Sequence, residues 1–240
     1  MNNLWFKGRR AIPKALLAIL AGMLCILPCA PGWADDKLDA EQLVEKARIT
    51  FESFAAEKDM EALLGLVKKA KGVLIYPSVL RGAFIFGASG GTGTFLAYDV
   101  SAKKWGGPAF YTIGEVSFGL QIGGEASEII LVAMTDRGVS ALLSISGKLG
   151  ANTSIAVGPV GAGAAAATQN LSADIISFGR AKGLYAGISV DGAIVGVRGS
   201  LNEAYYGKKE VTPTDILIKR TVRNPHSAGL IGAVSKVAGH

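Results

Sequence analysis

The residues that carry most enzyme chemistry are few in this chain and poorly placed for it. The two cysteines, Cys25 and Cys29, lie in the first 34 residues, and the two histidines, His226 and His240, lie in the last 20. A Cys nucleophile, a Cys-zinc site or an iron–sulfur cluster would need thiols that the rest of the chain lacks. Ser-His-Asp catalysis would have to recruit His226 from the tail. Glu115, Glu125 and Glu128 occupy sheet or loop positions, where solvated carboxylates explain them better than a general acid/base pair. Two glycine clusters, Gly87-Ala-Ser-Gly-Gly-Thr-Gly93 and Gly158-Pro-Val-Gly-Ala-Gly163, invite comparison with phosphate loops. The first runs into a strand pattern rather than a helix, and the second lacks the Lys-Ser/Thr of a P-loop, so a hairpin or bend accounts for each. The sequence predicts no catalytic residue, no metal and no cofactor.

Basic residues beside aromatic ones offer a different chemistry. Lys68, Lys69 and Lys71 lie close before Tyr76, Lys103 and Lys104 abut Trp105, and Arg180 and Lys182 bracket a turn between Phe178 and Tyr185. At a loop tip, lysine and arginine can meet anionic headgroups while Trp105 and Tyr185 anchor in the interfacial layer. These nine residues are the candidate lipid contacts.

The first 34 residues read as a removable export signal. Lys7, Arg9, Arg10 and Lys14 form a basic start, and Ala15 to Leu27 is an uncharged apolar run of 13 residues. That length suits a signal and is short for a membrane span. Pro28 and Pro31 break the run, and Gly32-Trp33-Ala34 supplies small residues for cleavage after Ala34. The chain has 25 Lys+Arg against 19 Asp+Glu, and the signal holds four of the basic residues and no acidic one, so residues 35 to 240 carry only +2. A nucleic-acid binder would keep a strong basic excess after processing. Nucleic acid is therefore excluded as a partner.

The elements that must position these residues change character along the chain. Leu43, Val44, Ala47, Phe51, Phe54 and Ala55 recur at helical spacing after a capping-box pattern at Asp39 and Gln42. A second helix with Leu63, Leu64, Val67 and Ala70 on one face follows Asp59. From Gly72 the pattern is β: Val73 to Tyr76 stopped by Pro77, then segments at 83–86, 94–98, 109–112, 117–122 and 129–134. Asp136 to Ser144 fits a helix, and Ala151 to Val157 a strand. Asp191-Gly192 between Leu184–Val190 and Ala193–Arg198 predicts a hairpin. Pro213 opens a last short helix, and the Gly-, Ala- and Ser-rich tail has no evident structure. Of 32 glycines, 29 follow the signal, about twice the usual frequency, as expected of bent and closely packed strands.

The segments Lys69–Pro77, Pro108–Gly114, Ser117–Gly123, Val157–Gly161, Arg180–Gly187 and Asn202–Gly207, taken in order, resemble the SYLF domain, also called the Ysc84 or Las17-binding actin-regulator family. The resemblance runs from about residue 40 to 219 and implies lipid binding. Its fungal members bind actin, but an export signal argues against actin as a partner here. The expectations are a signal peptide at 1–34, a single domain at 35–220 and a flexible tail at 221–240. The fold expected is α+β and mainly antiparallel, a closed barrel or curved sandwich with an N-terminal helical hairpin packed against it. The function expected is that of a non-enzymatic binder of anionic phospholipid or another envelope lipid. It would be exported to the periplasm or cell envelope and peripherally membrane-associated. A protein-interaction module of the envelope is the alternative.

Overall fold

The computed structural model describes residues 33–83, 86–118, 123–143, 146–161, 172–181, 184–186 and 188–239. The expected signal falls almost wholly outside them. Helix α1 spans Trp33–Ala56, and after a 3₁₀ turn at Lys58–Met60, α2 spans Glu61–Val67. Among the described residues nine strands follow: β1 (Gly72–Ala83), β2 (Phe86–Asp99), β3 (Lys104–Phe118), β4 (Gly123–Ala133), β5 (Ser146–Lys148), β6 (Ile155–Val157), β7 (Ile175–Ala181), β8 (Leu184–Ala186) and β9 (Ile194–Val197). Helix α3 (Asp136–Leu143) lies between β4 and β5, while α4 (Gly199–Tyr206) and α5 (Ala228–Ala238) follow β9.

The strands form one sheet in the order β5-β9-β3-β2-β1-β4-β7-β6, with β8 added to β7. All pairings are antiparallel except that of β6 with β7. The sheet must curl. Strands β5 and β6 are its two ends, about 34 Å apart if seven inter-strand steps lay flat. The six residues between Lys148 and Ile155 can span only about 24 Å. The two ends therefore approach each other, yet among the described residues they do not pair. A curled, open sheet stands where a closed barrel was one expectation.

Both faces are buried, which is why Val73-Leu74-Ile75-Tyr76 reads as a continuous apolar run. Val73 and Ile75 face a core built with α1, α2, α4 and α5, whereas Leu74 and Tyr76 face a second core with α3 and the segments around Val190, Val195 and Ile216. Ala40, Val44, Ala47, Phe51 and Phe54 of α1 are all buried in the first core. The helix begins six residues before Asp39, so that residue is interior to α1 rather than its cap.

Four sequence expectations are corrected. Pro77 does not stop β1: the strand continues to Ala83, and its register shifts between Tyr76 and Val79 on both sides, absorbing Pro77-Ser78 as a bulge. The Gly87–Gly93 segment is not a loop but lies within β2, opposite that bulge. A Cβ on Gly91 would strike the Ser78 carbonyl, and one on Gly93 the Tyr76 ring, so glycine is required there by close approach. Asp191-Gly192 does turn, with Gly192 at φ +85°, but the flanking strands do not pair with each other. β8 joins β7, and β9 inserts between β3 and β5. Finally, the tail is structured, because Leu230, Val234 and Ala238 recur every four residues and bury α5 against α1.

Asp174 fastens the curled end. Its buried carboxylate accepts bonds from Thr135 Oγ1 (2.6 Å), Arg137 Nη2 (2.7 Å), Ser154 Oγ (2.8 Å) and Ser154 N (2.9 Å). It thereby ties the start of α3 to the residues before β6 and β7. The Arg137 guanidinium, aided by Thr135 and Ser154, holds this carboxyl well below the usual range. A depressed folded-state value means stability that is fully present above the unfolded pKa of about 3.9 and is lost as pH falls through the folded value. Asp174→Asn is thus expected to melt below the parent at pH 7, with the gap closing as the pH is lowered past about 3.9. Melting curves of both proteins from pH 7 to pH 2 check this; a gap independent of pH would contradict it.

Candidate functional site

Strand register divides the predicted lipid contacts between two places. Gly72, Ala97, Gly106, Ala133 and Ile175 stand level with one another at one end of the sheet. Lys71 lies there, its N–H bonded to the Ala133 carbonyl (2.8 Å) and its carbonyl accepting from Tyr98 N (2.9 Å). Lys68 and Lys69 close α2 beside it, and Lys103 and Lys104 belong to the β2–β3 hairpin at the same end. Lys68, Lys69, Lys103 and Lys104 are exposed, and among the described residues none of the four forms an ion pair. Lys71 is half-buried and pairs with Asp136 at 2.5 Å.

Arg180 and Tyr185 pair with each other across β7 and β8, about 17 Å further along the sheet, five residues from Ile175. Arg180 is not a free headgroup contact. It forms an ion pair with Glu128, donates to Ser53 Oγ (2.9 Å) and lies over the Phe54 ring at 5.5 Å. Glu128 also accepts from Thr50 Oγ1 (3.2 Å), so this cluster fixes α1 to β4 and β7. Lys182 lies outside the described residues. Trp105 is corrected too: it is 5% exposed and packs in the helical-side core against Tyr98, ring centres 5.4 Å apart. Alternation along β3 puts Lys104 in solvent and Trp105 inside, so the tryptophan cannot be an exposed anchor.

Beside Lys104 and Trp105 opens a cavity of about 500 Å³ that sequence reasoning missed. Its walls are the start of β3, the π-helical turn Thr214–Ile218, the following segment through Asn224, and the first turn of α5. Apolar surface comes from Trp105, Ile216, Val222 and Ile231, and positive charge from Lys104, Arg220 and Arg223. Arg220, held at φ +53°, donates from Nη2 to the Lys104 carbonyl (2.8 Å) and lies 3.5 Å from Asp99. Asp99 also accepts the N–H groups of Ser101 (2.8 Å) and Ala102 (2.9 Å), and chiefly the Ala102 bond, with Arg220 beside it, lowers its pKa. Two donors in this wall, Trp105 Nε1 and Arg220 Nε, are buried without a hydrogen-bond partner among the described residues. The available signal was the spacing of Leu230, Val234 and Ala238, which orders the segment carrying Arg220 and Arg223.

Among the described residues no group of three His, Cys, Asp or Glu could hold a metal. His226 shares a 3.3 Å hydrogen bond with Tyr205. Ser89 has Gly-x-Ser-x-Gly spacing, but it sits inside β2, paired with Arg81 and Glu115, not on a strand-to-helix elbow. No helix among the described residues is long and apolar enough to cross a membrane.

Comparison with known proteins then decides the family. The family model for Ysc84, described as Las17-binding protein actin regulator, matches residues 114–237. The chain belongs to the Ysc84 family. The matched region includes β4, β7, β9 and the α4 and α5 helices, with Arg220 and Arg223 of the cavity. Among relatives, SH3 domain-containing YSC84-like protein 1 of Homo sapiens is 31% identical over 160 residues, covering 66% of this chain and 46% of that protein. The Pongo abelii protein of the same name is 32% identical over 161 residues, with the same coverage. Protein YSC84 of Saccharomyces cerevisiae is 29% identical over 147 residues, covering 59% of this chain and 31% of the yeast protein. The Ysc84-family chain described here thus spans about half the length, or less, of these relatives.

Proposed function

We propose that this Ysc84-family protein is a non-enzymatic lipid-binding module of the bacterial cell envelope, peripherally attached to an anionic membrane surface. The observation that carries the reading is the group of four exposed lysines, Lys68, Lys69, Lys103 and Lys104, at one end of a rigid sheet. Near an anionic surface each contributes about 1 kcal/mol, so four give usable attraction that salt screens. The basic apolar cavity opens beside Lys104 at the same end, so a headgroup drawn in by the lysines meets further cations. The export signal expected at residues 1–34 is what supports an envelope location and weighs against actin.

The experiment is vesicle co-sedimentation with phosphatidylglycerol and with phosphatidylcholine, each at low and high salt. Pelleting is expected with the anionic vesicles at low salt and is expected to fall at high salt. Negligible pelleting under every condition would overturn the proposal. A second reading is a protein-interaction module, favoured by the description of the family as a Las17-binding protein actin regulator. One stoichiometric protein partner retained from envelope extract without lipid dependence would support it.

A further inference from the structure

We infer that the cavity between β3 and α5 is a binding site for a phosphate ester, seated against the first turn of α5. Four independent features converge on it. Lys104 and Arg223 are exposed cations on its wall, and neither forms an ion pair among the described residues. Arg220 adds a third cation, offset only by Asp99 at 3.5 Å. Helix α5, 11 residues long, turns Ala228, Ile231 and Gly232 of its first turns to the cavity; the preceding 3₁₀ turn already engages the Ala228 N–H, and it is the dipole of the helix that favours an anion there. Trp105 Nε1 and Arg220 Nε are buried in the same wall and lack an acceptor among the described residues, a rare and costly condition that an anion relieves once the donor turns toward it.

The shape of the wall agrees with this. A Cβ on Gly106 would stand 3.0 Å from Arg220 Nε, so glycine lets the guanidinium lie flat against β3 at the cavity wall. Donors reach the site from Lys104 and Trp105 of β3 and from Arg220 and Arg223 of the following segment, that is, from two sides. A tetrahedral group with several terminal oxygens satisfies such a set, whereas a planar carboxylate engages a single fork. The apolar lining from Ile216, Val222 and Ile231 suits the carbon skeleton that carries the ester, and about 500 Å³ exceeds what a bare phosphate fills.

The inference deepens the lipid reading but is separable from it. Two sources carry the same chemistry, a phospholipid headgroup and a soluble phosphate ester. The purified chain is titrated calorimetrically with inorganic phosphate and with glycerol 3-phosphate, and is pelleted with phosphatidylglycerol and phosphatidylcholine vesicles. Arg223→Gln, Trp105→Phe and the control Lys46→Gln, at an exposed position outside both proposed contacts, accompany the parent. Saturable binding of glycerol 3-phosphate, weakened roughly tenfold or more by Arg223→Gln and by Trp105→Phe but not by Lys46→Gln, is the result expected of a soluble ester. Loss of pelleting in those two variants alone, with no binding of the soluble compounds, assigns the site to a headgroup in a bilayer. If vesicles pellet equally with all four proteins and no soluble compound binds, the pocket inference falls while the membrane reading stands. If nothing binds, both fall. Melting temperatures of the variants equal to the parent within a few degrees exclude unfolding as the cause.

Discussion

Truncating Phe51 and Phe54 together to alanine should remove most of the cooperative melting transition of the lipid-free protein. Both rings are essentially buried, at 1% and 0% exposure, in the core between α1 and the sheet. Each phenylalanine-to-alanine change at such a site costs roughly 3–5 kcal/mol, counting lost transfer energy and the cavity left behind. The two residues are one helical turn apart and share neighbours, so the losses need not add. Even a partly additive loss is comparable with the whole stability of an ordinary domain, about 5–15 kcal/mol. Phe54 also underlies Arg180, so its loss loosens the Glu128–Arg180 cluster that fixes α1. Helix α1 carries Asp35, Asp36, Asp39, Glu41, Glu45 and Glu52 against Lys37, Lys46 and Arg48, an acidic balance that agrees with a core helix rather than one lying in an anionic interface. Thermal unfolding followed by circular dichroism decides it. A double variant that melts like the parent but no longer pellets with vesicles would make α1 the membrane element instead.

Asn202→Ala should be the most damaging single polar substitution in the helical layer. Asn202 is fully buried on α4, and its amide completes the backbone of β3 as a neighbouring strand would. Oδ1 accepts the Phe110 N–H at 2.9 Å, while Nδ2 donates to the Phe110 carbonyl (3.4 Å) and the Arg198 carbonyl (3.3 Å). The Phe110 carbonyl keeps a bond from Arg198 N, so the main loss is a buried N–H without an acceptor. That loss and a small void together cost roughly 2–4 kcal/mol. For a chain of this size, each kcal/mol lowers the melting temperature by about 2–4 °C. A shift below about 2 °C in calorimetry would show that water restores the bonds.

Much of the fold is legible where one physical signal acts alone. The α1 stripe marks its buried face because a helix packed on one side shows its period, and Asp136 to Leu143 is readable for the same reason. The misreadings arise where tertiary context overrides a local signal. Pro77 looks like a stop, but a bulge takes up the missing donor, and the glycines of β2 look like a loop until Tyr76 and Ser78 are seen pressing on them. Asp191-Gly192 is a sound turn signal, yet the sheet curls, so its flanking strands find partners elsewhere. Of the candidate site, Lys68, Lys69, Lys103 and Lys104 were legible because charge near a turn is usually exposed. Trp105 and Arg180 were not, since burial and pairing depend on elements distant in sequence. Arg220 and Arg223 were hidden by composition, because a small-residue tail suggests disorder even when every fourth residue is apolar.

The central claim, that the lysine end of the sheet meets an anionic membrane, rests most directly on one measurement. The variant Lys68→Gln, Lys69→Gln, Lys103→Gln, Lys104→Gln is compared with the parent for co-sedimentation with phosphatidylglycerol vesicles at low salt. All four side chains are exposed, so the melting temperature should be unchanged within a few degrees. At about 1 kcal/mol for each lysine, apparent affinity should fall by roughly a hundredfold or more, to the level of the parent at high salt. A variant that pellets as fully as the parent would contradict the account.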